Sequence, residues 1–421
     1  FNVLFPRRSL LLRKPPLKYT VRKRSTSFMS AQPAIVLDCG SGSIKAGCSE
    51  QDLPSYVIPS VVAKLLSAKN ENDGTSFPQN DELFGESALK KRGLYSLRYP
   101  IEHGIVVDWN EMEKLLHHTF FNELRITPKN ESIFLSEAAL NPKAHREKAA
   151  ELFFETFDVH SMSMASQSIL GLYSSGRTTG TVLESGEGVT HCIPIFEGFS
   201  FPQAISRMDL GGRDVTDYLV KLLSEKGHDF FTTADREVVK EIKEKMCYVS
   251  QHFDAEINEI EMNEGDGDED DKSSFLNDDA SKYFYELPDG NVIHLGTERV
   301  KAAEALFQPQ LIGSEESGIA KLICDSIMKT EVDLRRLFWQ NLVLCGGNTL
   351  FNGFQTRLHS ELSGIAPKSV RVKIDGSNHR KYCVWIGGCV LSNIPSFREQ
   401  WMTKQQYEEN GTSRISMITP F

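Results

Sequence analysis

Two segments of this 421-residue chain repeat one pattern, in which an apolar run ends in an acid and passes through a glycine-rich turn into a second run. The first copy is A-I-V-L-D (34–38) followed by C-G-S-G-S, and the second is T-V-L-E (181–184) followed by S-G-E-G-V-T-H. Each reads as a buried strand closing through a tight turn, with the strand after the first turn running through Ile44–Gly47. A repeat of this kind limits the fold more than any local propensity does, because two copies of one unit must share a buried interior. The expectation is a duplicated α/β fold with two lobes around a central cleft. A third apolar run into glycines, L-V-L-C-G-G-N (342–348), adds another turn of the same character.

Helical spacing is expected over 110–124, over 143–157 after Pro142, over 164–173 and over 235–249. The segment V-W-I-G-G-C (384–389) reads as a helix packed closely on a neighbour. Residues 64–82 are polar and irregular and read as a loop. Residues 261–282 are rich in acids (Glu261, Glu264, Asp266, Asp268, Glu269, Asp270, Asp271, Asp278, Asp279) and read as a solvated loop.

Charge is divided unevenly. Residues 1–28 contain eight basic side chains and no acid, while the whole chain carries −10, so the remainder carries −18. That body repels nucleic acid and attracts cations or basic partners. The basic segment is expected to lie outside the fold, as a disordered tail or upstream translated sequence with initiation at Met29. A transit peptide is the alternative. Hydrophobic residues make up 40% and charged residues 25%, ordinary for a soluble protein, and no uninterrupted apolar run is long enough for a membrane helix. The eight cysteines show no C-x-x-C pair and no metal-ligand spacing, so reduced thiols in a cytosolic protein are expected, with Cys39, Cys345 and Cys389 acting as small hydrophobes.

Glycine turns of this type suit polyphosphate, since backbone N–H groups reach phosphate oxygens without Cβ interference and serine adds a donor. Asp38 and Glu184, at matching strand ends, would face each other across the cleft and suit a hydrated Mg²⁺. One such turn alone could as well be an ordinary hairpin; the repetition and the third turn favour nucleotide.

Strings along the chain now point to a family: D-C-G-S-G-S-I-K-A-G (38–47), Y-P-I-E-H-G-I-V (99–106), L-N-P-K-A-H-R-E-K (140–148), S-G-R-T-T-G (175–180), G-G-R-D-V-T-D-Y-L (211–219), I-K-E-K-M-C-Y (242–248), E-A-L-F-Q-P (304–309) and K-Y-C-V-W-I-G-G (381–388). In order and spacing, across 34–404, they resemble actin. Stretches near 146–151 and 333–336 are similar to the centractin branch. The resemblance implies an actin-like ATPase fold, with ATP or ADP and Mg²⁺ (or Ca²⁺) as ligands. Gly40, Ser41, Gly42 and Lys45 match the first phosphate loop, and Gly186, Gly188 and Val189 the second. Gly212, Arg213, Asp214, Lys243, Glu244, Gly346, Gly347, Asn348 and Lys381 match the rest of the nucleotide pocket, with Asp38 and Glu184 at the metal. Gln167 and His191 fall where the family positions the attacking water, and His103 where many actins carry a methylated histidine. Taken singly, each has a plainer reading, such as a strand-end histidine or a solvated helix face.

By the same resemblance, 29–59, 100–174 and 382–421 form the base of lobe 1, and 60–99 its tip with a subunit-contact loop. Residues 175–210 and 315–381 form the base of lobe 2, and 211–314 its tip with the acidic loop. The implied function is a cytoplasmic, cytoskeletal ATP-binding protein that assembles into filaments and hydrolyses ATP weakly. Self-association, actin-binding proteins or motor-complex proteins are the expected partners, without nucleic acid or membrane insertion. A non-polymerising actin-related subunit of a dynactin-like, axonemal or chromatin-associated complex is the alternative. A small-molecule kinase or chaperone on the same duplicated fold would lack the strings at 99–106 and 211–219. The chain departs from the family where Glu184 and Glu187 replace usual aspartates, Cys39 a usual asparagine and Asn348 a usual threonine. The loop at 64–82, the longer acidic loop and the S-M-I-T-P-F ending also differ, which puts hydrolysis and filament contacts in question.

Overall fold

The computed structural model describes residues 33–65, 82–265, 283–412 and 415, and Pro33–Phe421 form one compact unit. The expectations for 1–28, and most of those for the loops at 64–82 and 261–282, lie outside the described residues.

Ile35, Val36 and Leu37 are buried in succession, as a strand covered on both faces requires. This strand, β1 (Ile35–Cys39), starts a meander with β2 (Ser43–Cys48) and β3 (Tyr56–Pro59). A small sheet follows, β4 (Val62–Leu65), β5 (Glu82–Phe84) and β6 (Tyr95–Arg98), with α1 (Gly85–Lys90), then the hairpin β7 (Ile101–Glu102) and β8 (Ile105–Val106). α2 (Trp109–His117), capped by the Asp108 carboxylate accepting from Asn110 and Glu111 N–H, leads to β9 (Ser132–Glu137). α3 (Lys143–Glu151) leads to β10 (Ser161–Ser166). With β19 (Met402–Thr403), the first sheet has the order β19-β10-β9-β1-β2-β3.

α4 (Gln167–Ser174) carries the chain into the second sheet. Its strands are β11 (Gly180–Ser185), β12 (Thr190–Phe196), β13 (Phe199–Ser200), β14 (Ser206–Met208), β17 (Leu342–Cys345) and β18 (Ile374–Asp375), in the order β13-β12-β11-β17-β18 with β14 on β12. Between them come α5 (Gly212–Glu225), α6 (Thr233–Met246), α7 (Phe253–Gly265), the hairpin β15 (Phe284–Glu286) and β16 (Val292–His294), α8 (Glu298–Glu304), α9 (Ile319–Met328) and α10 (Val332–Gln340). α11 (Phe354–Ile365), α12 (Cys383–Ser392), α13 (Pro395–Arg398) and α14 (Lys404–Asn410) complete the chain.

The repeat is real at the level of topology. β1 pairs antiparallel with β2 and parallel with β9, as β11 pairs antiparallel with β12 and parallel with β17. α4 and α12 pack together between the sheets, and glycines permit it: a Cβ on Gly387 would overlap the Leu170 carbonyl. Trp385 is fully buried there and its Nε1–H donates to Val36 O at 3.0 Å.

Several expected boundaries move. Met164–Ser166 belongs to β10, whose ladder on β9 continues to Ser166↔Glu137, so that helix begins only at Gln167. Short apolar runs do not separate buried strand from buried helix by periodicity, which is why 164–173 read as helix throughout. The helices at 110 and 143 pass into π-helical turns, His118–Leu124 and Leu152–Thr156, where Phe120, Phe153 and Phe157 pack on one another. The 235–249 helix stops at Met246, since Cys247 is extended. Glu261 lies on α7 rather than in a loop, and Lys64 and Glu82 lie in paired strands.

Candidate nucleotide site

Asp38 is the fourth residue of β1, 2% exposed, and its cross-strand partner is Lys45. The Lys45 Nζ lies 2.9 Å from Asp38 Oδ2. Ser136 Oγ and Gln167 Nε2 both donate to Asp38 Oδ1, at 2.5 and 3.2 Å. Gln167 therefore reaches the first hairpin from the N-terminus of α4. In the turn, Gly40 N–H donates to Ser43 O at 3.2 Å and Ser41 Oγ accepts from Gly104 N–H at 3.0 Å.

The second hairpin repeats the register. Glu184 pairs across the ladder with His191, one residue before Ser185 and Thr190, whose hydroxyls meet at 2.9 Å. Ser168 Oγ donates to Glu184 Oε2 at 3.2 Å. Burial first, and then the negative charge of Asp38, push the Glu184 carboxyl up to about 7 against the pull of Ser168 and Lys45. The two carboxylates are thus near enough to repel. His191 is fully buried and neither ring nitrogen has a hydrogen-bond partner. Burial lowers it to about 4, helped by Arg207, so the ring is neutral at pH 7.

The two turns touch. A Cβ on Gly42 would lie 2.9 Å from Glu187 Cβ, and one on Gly188 2.5 Å from Ser41 Oγ, so only glycine lets the loops close on each other. Burial opposes ionisation of Glu187, but Lys243, Lys240 and Arg213 outweigh it and hold the carboxyl down at about 2. Both lysine Nζ atoms are 3.5 Å away. Lys243 is 2% exposed and also donates to Gly212 O at 2.5 Å.

The third turn locks onto the second. Gly346 has φ +90° and sits against Ser185 O, where no side chain fits. The Asn348 amide donates to Ser185 Oγ at 3.0 Å and Gly186 O at 2.7 Å. α5 starts on the same spot, with Gly212 N–H donating to Gly186 O and Arg213 N–H to Glu187 O at 2.9 and 2.8 Å. Asp214 accepts from Gly211 N–H at 2.7 Å, so its carboxylate serves as a helix cap. Val189 is buried. Glu244 and Lys381 are exposed. His103 Nδ1 lies 2.7 Å from Gly188 O, in a left-handed backbone with φ 45°.

Some participants were not legible in the sequence. Lys240 precedes Lys243 by one helical turn and shares its carboxylate, a signal present in the spacing of α6. Tyr99, Arg236 and Glu237 were not, because they meet only in space. Tyr99 Oη donates to Glu237 Oε1 at 2.5 Å, and Arg213 stacks on the Tyr99 ring at 4.6 Å. With Glu187, Thr216 and Lys240 they line a shallow pocket open to solvent. Arg380 donates to Thr349 O and Oγ1 and to Ser377 O, pinning the third turn to the segment before α12.

Among the described residues no group of three or more His, Cys, Asp or Glu side chains could hold a metal alone. Two repelling carboxylates, one holding its proton near neutrality, fit a cation whose remaining ligands are water and phosphate. No helix among the described residues is long and apolar enough to cross a membrane.

A family model for actin matches residues 29–419. The chain belongs to the actin family, and it is accordingly an actin-like ATP-binding protein.

Proposed function

We propose that the chain binds ATP with Mg²⁺ (or Ca²⁺) between the three glycine turns, hydrolyses it slowly, and uses the nucleotide state to switch assembly into filaments. On this reading the two sheets are the bases of lobes 1 and 2. Backbone N–H groups of Ser41, Gly42, Gly188 and Val189 hold the phosphates with Lys45, while Gly40 and Gly186, whose N–H groups donate to Ser43 O and Val189 O, shape the two turns. Gly212, Arg213, Lys243, Gly346, Gly347 and Asn348 form the nucleoside side, with Asp214 shaping the start of α5 and Glu244 and Lys381 reaching in from the rim. Asp38 and Glu184 hold the cation, which supplies neutralisation of phosphate charge.

The observation that carries this reading is His191, a buried, neutral ring with two unpartnered nitrogens beside Glu184. An unsatisfied buried ring of this kind suits a water, which a neutral imidazole and the Gln167 amide can orient by donating and accepting. Single-turnover phosphate release tests it. Gln167→Ala and His191→Asn should each slow release by about a hundredfold while fluorescent-ATP affinity stays within a few-fold of the parent. Unchanged release in both sinks the catalytic assignment, and monomer alone in a pelleting assay with ATP and Mg²⁺ sinks the assembly.

One observation favours a second reading, a non-polymerising subunit that keeps ATP as a structural cofactor. Glu187, at a position where the family usually has a shorter acid, stays ionised but is engaged by Lys240 and Lys243, so its oxygens are less free to orient water. Bound ATP that stays intact through long incubation, with co-purifying partners, would favour it. In either case the expected setting is the cytoskeleton in the cytoplasm, with actin-family or actin-binding partners.

A further inference from the structure

Cys345 and Cys383 are 0% and 5% exposed and take no part in the chemistry above. Cys345 ends β17 of the second sheet, whereas Cys383 opens α12, which packs on β1 and β9 of the first. One carbonyl gathers both segments: Arg380 O accepts from Gly346 N–H at 3.0 Å and from the Cys383 thiol at 3.2 Å. Both thiols belong to the same buried cluster between the sheets. Cys345 Sγ cannot retreat toward α4, where even a Cβ on Gly171 would stand 2.6 Å from it. Both sulfurs are free. Cys48 and Cys389 also lie near one another, but β2 and α12 are both on the first-sheet side, so a bond there would not bridge the sheets.

We propose that Cys345 and Cys383 form a dithiol modification site that a peroxide oxidises to a disulfide, tying the second sheet to α12 and holding the two lobes in one setting. One sulfur, losing its proton, attacks a peroxide oxygen; an S–O bond forms, the O–O bond breaks, and the released alkoxide or hydroxide takes up that proton. The second sulfur then attacks the resulting sulfenic sulfur; the S–S bond forms, the S–O bond breaks, and hydroxide leaves with the second thiol proton as water. Two thiols are oxidised and one peroxide is reduced. The neighbouring Cys383 and burial raise the Cys345 thiol, so the reaction is slow.

The chemical half stands without nucleotide, whereas the mechanical half rests on the proposed nucleotide-linked lobe movement. The full chain is treated with hydrogen peroxide with and without ATP, alkylated, and mapped by mass spectrometry without reduction. The expected product is a peptide pair joined through Cys345 and Cys383, lighter by two hydrogens and reversed by dithiothreitol. Release of fluorescent ATP should slow by about tenfold in the oxidised protein, a size usual for coupling between sites, and recover on reduction. Cys345→Ser and Cys383→Ser should each abolish both effects; serine keeps the donor to Arg380 O, and circular dichroism with Cys383→Ala checks folding. Recovery of both cysteines as separate alkylated or sulfinic forms overturns the site. A mapped disulfide with unchanged nucleotide release overturns the lock, whereas a mapped disulfide in a protein that binds no ATP supports the dithiol and defeats the nucleotide reading instead.

Discussion

The two hairpins at the centre of the molecule share a register and differ in electrostatics. In the first, Asp38 faces Lys45 across the ladder; in the second, Glu184 faces His191. Asp38 has its cation at 2.9 Å and two further donors. Glu184 has one hydroxyl donor and a neutral ring, and its carboxyl is raised to about 7. One backbone unit therefore supports a charge-balanced corner and an unbalanced one. Unmet charge and an unpartnered imidazole are where a bound cation and water would gain most, so on the proposed reading the second hairpin would be the reactive half of the pair.

The sharpest way to break this contrast is Lys45→Met, which leaves Asp38 buried without its cation. A loss of about 3–5 kcal/mol is expected, read from urea unfolding at pH 7; a loss under about 1 kcal/mol would mean that the ion pair is not what separates the hairpins. Next comes Glu184→Gln. A carboxyl whose folded value is raised from 4.5 to about 7 favours the fold below 4.5 and loses that contribution as pH rises through 7. Glu184→Gln should therefore gain on the parent between pH 5 and pH 8, by up to about 3 kcal/mol without divalent cation. The parent's cation affinity should climb over the same interval while that of the variant stays flat, as isothermal titration would show.

His191 carries the opposite sign. Its folded value is lowered from 6.5 to about 4, so the neutral ring contributes stability above 6.5 that is lost as pH falls through 4. His191→Gln should shift the acid-unfolding midpoint downward, with a difference of about 2–3 kcal/mol between pH 7 and pH 4; parallel pH profiles would contradict the orphan-ring account. Asn348→Ala should have the smallest effect, about 1–2 kcal/mol, because it leaves Ser185 Oγ and Gly186 O short of one donor each. Thermal unfolding reads it, and Asn348→Asp, which removes the same donors and adds charge, should be worse.

The sequence by itself determined the duplicated topology. An apolar run that ends in an acid before glycines leaves a chain few ways to bury its strands, and both copies do so alike. It also put Asp38 and Glu184 at matching strand ends, because a strand end is set by local pattern, whereas Lys45, Gln167 and His191 were singled out only by the resemblance to actin. Only the tertiary structure decided the charge states. Burial and neighbours from distant segments raise Glu184, depress Glu187 through Lys240 and Lys243, and keep His191 neutral, and none of these distances can be read from spacing along the chain. The same holds for Tyr99 on Glu237 and for Cys345 against Cys383. A strand end is set by the residues on either side of it, whereas a pKa or a thiol contact depends on every element that packs around the group.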